Sequence, residues 1–134
     1  MTGLLAAHNT ARASVGAPPL VWDTTLQAHA TEWADQLAAN ACQLQHRGNS
    51  PYGENLYRIT QPKPPSQVVA AWTAEAAAYN SSTHSCSAQT CGHYLQVVWS
   101  ATTRVGCGMA TCGQTQVWVC NYDPRGLQPG QQPF

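Results

Sequence analysis

Residues 104–122 read RVGCGMATCGQTQVWVCNY, and they set the frame for the rest of the chain. Two runs of strand-forming residues, 104–111 and 116–122, flank a Cys112-Gly113 turn, the pattern of an antiparallel hairpin. In such a hairpin Cys107 and Cys120 lie nearly opposite each other, so a bridge between them is geometrically sensible. After the second run comes DPRGLQPGQQPF, a Pro/Gly/Gln tail (123–134) that cannot enter a sheet interior.

Ahead of the hairpin the periodicity changes to helical. Leu4, Leu5, His8, Arg12 and Val15 recur at helical spacing until Gly16-Ala17-Pro18-Pro19 ends the run. Asp23 can cap a second helix, with apolar residues at Leu26, Ala30, Trp33, Ala34, Leu37, Ala38 and Ala41. Residues 54–59 read as a short strand after a turn-rich stretch, and the prolines of 61–65 preset a third helix over 66–79. Its stripe is Val68, Val69, Trp72, Ala76 and Tyr79, and Glu75 projects from that same face. Residues 80–92 are polar and pinned by two cysteines, hence a loop, while 93–99 is a brief helix or a buried strand, which periodicity does not decide. Helices mixed with antiparallel strands make an α+β layered domain, read here as one domain over 1–134.

Composition narrows the function. Formal net charge is zero and charged residues make up 9%, against roughly 25% in soluble domains. With no Lys/Arg cluster, nucleic acid finds no electrostatic footprint and an anionic membrane surface little to hold. No apolar run approaches the roughly 20 residues of a membrane span, so no stable membrane anchor is expected. No charged leader precedes a cleavage site, so an exported protein would be present here in mature form. Six cysteines, an even set, imply an oxidised framework and an extracellular setting, because their spacings lack the paired C-x2-C ligands of zinc domains. The triplet Asn80-Ser81-Ser82 is a glycosylation acceptor in agreement with secretion.

Among the titratable residues, Glu54, Glu75, His46 and His93 border apolar segments, where a desolvated carboxylate needs a partner and an imidazole is a good one. Were the four to converge, they would suit zinc or another divalent ion, with the carboxylates ligating or orienting the rings. Independent structural roles are the alternative. His8 and His29 belong to helix surfaces or satisfied core positions, His84 to an exposed loop, and Glu32 to solvent. No G-x-S-x-G elbow is present, although Ser14, Ser66 and Ser100 leave a Ser-His-Glu arrangement formally open, as Glu54 with Glu75 does for acid and base work on a sugar.

Several segments together resemble the CAP superfamily of cysteine-rich secretory, antigen-five and class-one pathogenesis-related proteins. GHYLQVVWSAT (92–102) and VWVCNYDPRG (117–126) look like its two signatures, and HNTAR (8–12), PPLVWD (18–23), YGENLY (52–57) and WTAEAAAY (72–79) fit the remaining pattern. The resemblance implies a secreted, disulfide-stabilised three-layer α-β-α sandwich with a central antiparallel sheet. It implies a cleft lined by His46, Glu54, Glu75 and His93, open to a divalent metal that is not obligatory, zinc being the first candidate. It pairs Cys42 with Cys112, Cys86 with Cys91, and Cys107 with Cys120.

The expected partners are sterols or fatty acids. The resemblance links them to the flexible loop before GHY, here Asn80, Ser81, Ser82, Thr83, His84, Ser85, Ser87, Ala88, Gln89 and Thr90. Three positions depart from the family pattern: Leu95 replaces a small hydroxyl residue, and Trp118 and Leu127 alter the second signature. In plant members the tail can be released as a signalling peptide, and Pro124, Gly126, Pro133 and Phe134 keep its spacing, with Leu127 for Asn and Phe134 for Tyr. The reading is therefore a monomeric, non-enzymatic lipid-binding protein of defence or host-pathogen settings. A metal-dependent hydrolase and a peptide precursor are the alternatives.

Overall fold

The computed structural model describes residues 2–134; residue 1 of the expected domain lies outside them. The order is α1 (Thr2–Ser14), β1 (Val21–Trp22), α2 (Thr24–Ala39), β2 (Gly53–Ile59), α3 (Pro65–Thr73), a 3-10 segment (Ala74–Ala78), β3 (Tyr79–Asn80), β4 (Ser85–Cys86), α4 (Gly92–Val98), β5 (Arg104–Cys112) and β6 (Thr115–Asp123).

The β5–β6 hairpin forms as its sequence pattern requires, with Cys107 opposite Cys120, but its turn sits one residue further on, at Gly113-Gln114. Gly113 takes φ +59°, a left-handed conformation that glycine adopts without a Cβ clash. The sheet order is β1-β5-β6-β2, and β1 pairs with β5 in parallel, so the sheet is antiparallel except at this two-residue edge.

Alternation along β6 sends side chains to two faces. Trp118, Cys120 and Tyr122 join a core with Leu4, Val68, Trp72, Tyr94 and Val97 from α1, α3 and α4. Val117 and Val119 pack on the other face with Ala30, Ala34 and Leu37 of α2. The three-layer sandwich follows. On the α2 face the layers touch closely, because a Cβ at Gly106 would meet the Gln27 amide and one at Gly108 the backbone of Thr31. Asp23 caps α2 by accepting from the Leu26 N–H (2.9 Å).

Two polar residues of the α1 stripe are wholly buried. Arg12 donates to the carbonyls of Pro18 (2.6 Å), Val97 (3.1 Å), Trp99 (2.8 Å) and Thr102 (3.0 Å), tying α1 to both ends of the 97–102 segment. His8 donates from Nδ1 to the Leu4 carbonyl and accepts the Tyr122 hydroxyl at Nε2, both at 2.7 Å. The third helix is shorter than expected: after Thr73 the alanine-rich Ala74–Ala78 tightens into a 3-10 turn. The 93–99 segment is a helix, and the three disulfides are Cys42–Cys112, Cys86–Cys91 and Cys107–Cys120.

Candidate functional site

Glu54 opens the site. It stands near the start of β2 with only 7% of its side chain exposed, and its carboxylate accepts three hydrogen bonds. Oε1 takes His46 Nδ1 (2.9 Å) and the Arg47 N–H (3.1 Å), and Oε2 takes Asn121 Nδ2 (3.2 Å). Asn121 faces Glu54 across the β2–β6 register, so the sheet itself aims this support. Arg47 fastens the loop carrying His46 to α2, donating to the His29 carbonyl (3.1 Å) and to Glu32 (2.6 Å).

Glu75 repeats the arrangement. The 3-10 tightening after Thr73 carries it, and its carboxylate accepts His93 Nδ1 (2.7 Å) and the Tyr94 N–H (3.0 Å) at the start of α4. Asn55, next to Glu54, donates to the His93 carbonyl (3.0 Å) and to the Tyr122 hydroxyl (3.3 Å). The two pairs are thus linked through one end of β2. Asn121, Asn55 and Arg47 were missed from sequence; pairing β2 with β6 would have put Asn121 opposite Glu54.

Both imidazoles therefore spend Nδ1 on a carboxylate, which fixes ring orientation and leaves Nε2 as the free donor atom. Among the described residues no three His, Cys, Asp or Glu side chains gather closely enough to hold one ion. The four expected residues form two oriented His-Glu pairs rather than a closed four-ligand centre. Beside His46 lies a cleft of about 390 Å³, bounded by Tyr52, Gln96 and tail residues 125–128, with neither Glu75 nor His93 in its wall.

Ser50 Oγ lies 3.2 Å from His29 Nε2 at the rim of this cleft, a Ser-His contact that the sequence reading did not consider. Desolvation, with the nearby Arg47 charge, lowers the His29 pKa. Among the described residues no carboxylate hydrogen-bonds the His29 ring, so the orienting third member of a nucleophilic triad is missing. Glu32 keeps its expected exposure and pairs with Arg47.

The loop expected to meet lipid is polar and exposed throughout 80–90. It folds as a β3–β4 hairpin in which Asn80 Oδ1 accepts the N–H groups of Ser82 (2.9 Å) and Thr83 (3.2 Å), and Cys86–Cys91 ties it to α4. Exposed His84 bonds the Tyr79 hydroxyl (3.0 Å). An apolar concavity exists elsewhere: a groove of about 660 Å³ between α1 and α3, lined by Ala7, Ala11, Val69, Ala70, Ala76 and Tyr94 among others. Tyr94 also packs on Tyr79, the first residue of the hairpin, at 6.2 Å between ring centroids. The groove and the loop therefore share a border.

The tail lies along the surface rather than apart from it. Thr102 Oγ1 donates to the Pro124 carbonyl (2.8 Å) and Gly126 N–H to Gln96 Oε1 (3.1 Å). Any Cβ at Gly126 would come within 2.9 Å of the Trp99 ring. Among the described residues no helix is long and apolar enough to cross a membrane.

Residues 5–122 match the family described as "Cysteine-rich secretory protein family", CAP. The chain is 43% identical to "Pathogenesis-related protein PRMS" of Zea mays over 135 residues, covering 97% of this chain and 80% of that one. Among solved structures it is similar to MpPR-1i, with TM-score 0.74 and 28% identity over 98% of this chain and 91% of that one. NaASP2, whose crystal structure contains Zn2+, shares the fold at TM-score 0.78 and 21% identity, covering 99% of this chain and 83% of that one.

Proposed function

The chain belongs to the CAP family, in its class-one pathogenesis-related branch, and from that premise we propose that it is a secreted defence protein that binds sterols and fatty acids rather than turning over a substrate. The observation that carries the reading is the apolar groove between α1 and α3. Its volume of about 660 Å³ falls within the roughly 300–1,000 Å³ of small-molecule sites. Small side chains line it, and the ligand gains by removing apolar surface from water. The polar 80–90 hairpin adjoins one end through Tyr79 and serves as a flap there. Three disulfides and a low charge content suit an oxidising extracellular setting.

His46 and His93 would hold a divalent ion through Nε2, with Glu54 and Glu75 orienting the rings, and such an ion would supply a Lewis acid. With two protein donors the affinity is modest and binding is separable from the lipid site. Titration of the oxidised protein with labelled cholesterol and with palmitate tests the leading reading: saturable binding of either is expected, and failure of both overturns it. Zinc titration of His46→Ala and His93→Ala tests the pairs, and equal affinity in wild type and both variants moves the ion elsewhere.

A further inference from the structure

The groove between α1 and α3 has one aromatic side chain, Tyr94, in its lining. Where the helices begin, a Cβ at Gly3 would lie 3.5 Å from Pro65 Cβ, so α1 and α3 start side by side. Lining residues of α1 extend from Gly3 to Ser14, about 16 Å at 1.5 Å per residue. Tyr94, 7% exposed, lines the groove together with Ala76.

Tyr94 also packs against the tail. The ring of Phe134 lies edge-on to Tyr94 at 6.5 Å and to Tyr79 at 6.2 Å, completing a triangle with the Tyr79–Tyr94 contact. Phe134 is held in turn by two hydrogen bonds of the residues before it. Ser100 N–H donates to the Pro133 carbonyl (2.6 Å), and the Trp99 indole donates to Gln131 Oε1 (3.1 Å). Tyr79 also lines a second concavity of about 490 Å³, whose wall includes Leu95, Trp99, Leu127 and Pro129. Leu95 and Leu127, two of the three departures from the family pattern, both face it.

We propose that Tyr94, braced by Phe134, is the wall that sets how long an unbranched acyl chain the groove admits. The inference rests on the lipid reading of the groove. An acyl chain suits the lining, which offers small side chains, hydroxyls of Thr10, Ser14 and Thr73, and no charged group among its residues. With Phe134 in place, methylenes beyond the wall stay in water and add nothing to affinity. Without it, Tyr94 loses one of its two aromatic braces, turns toward the vacated seat and joins the groove to the concavity lined by Leu95 and Leu127.

Titration calorimetry of the oxidised protein with dodecanoate, tetradecanoate and octadecanoate, each below its micellar concentration, reads this directly. Wild-type affinity should level off along the series, whereas Phe134→Ala should bind octadecanoate about tenfold more tightly than dodecanoate, and Phe134→Leu should fall between. Tyr94→Leu, with its fold checked by near-UV circular dichroism, should follow Phe134→Ala. An unchanged chain-length profile in Phe134→Ala and Tyr94→Leu overturns the wall alone. Absence of binding by every acid in wild type overturns the lipid reading and the wall together.

Discussion

His8 and Arg12 sit on the apolar stripe of α1 as buried polar groups, and each is held by a different device. Burial without a charged partner pushes the His8 pKa down from 6.5 to about 4, so the folded state keeps the ring neutral. Between those two values the unfolded chain binds more protons than the folded one, and stability must fall as pH drops. The loss begins near pH 6.5, is complete below about pH 4, and amounts to about 3 kcal/mol. Urea unfolding between pH 7 and 4 should show it, and a flat midpoint would contradict the burial of a neutral ring. Arg12 stays charged although desolvation lowers its pKa to about 10. Four carbonyls depend on it, so Arg12→Met should cost at least about 3 kcal/mol. Lysine, with a compact ammonium in place of the planar fork, should rescue only part of that in the same urea titration.

At the scale of elements, α2 sits closely on β5 and, through Arg47, anchors the loop that carries His46. Gly108→Ala should push α2 off the sheet and destabilise by about 1–3 kcal/mol, while the same change at exposed Gly48, where no atom lies within 4 Å, should be near neutral. Thermal midpoints of the two variants separate packing from helix or strand propensity. Most elements were legible because their periods are strong: the α2 stripe, the β5–β6 alternation, and the proline start of α3 all reappear. What escaped were features set by tertiary contact. The parallel β1 strand is two residues long and pairs with a segment more than eighty positions away, leaving no period to detect. The 3-10 tightening over Ala74–Ala78 is likewise silent in an alanine-rich stretch that favours α-helix.

Across the whole molecule, one disulfide staples a helical layer to the sheet, while the other two act within the hairpin and beside the 80–90 loop. Cys42–Cys112 joins the end of α2 to the β5 turn across 70 positions, a closure that removes about 4 kcal/mol of unfolded-state entropy. The Cys42→Ala/Cys112→Ala double variant should therefore lose stability on that scale, whereas removing Cys86–Cys91, with a separation of 5, should leave the unfolding midpoint less changed. The hairpin favoured Cys107–Cys120 on geometry, and family resemblance supplied the other two pairs. The candidate site was legible to a similar degree: four residues named from their apolar borders form two bonded pairs, but the supports at Asn121, Asn55 and Arg47 depend on a register that no single segment encodes.

Each of the five indole N–H groups meets an acceptor: Trp22 at Gln27, Trp33 at Gln45, Trp72 at Leu56, Trp99 at Gln131 and Trp118 at Gln116. Trp99 alone among them finds its acceptor in the tail. A chain with the other four tryptophans replaced by phenylalanine would carry its own fluorescent gauge. Its emission would shift when the segment after Pro124 lifts from the body of the protein, with no label attached.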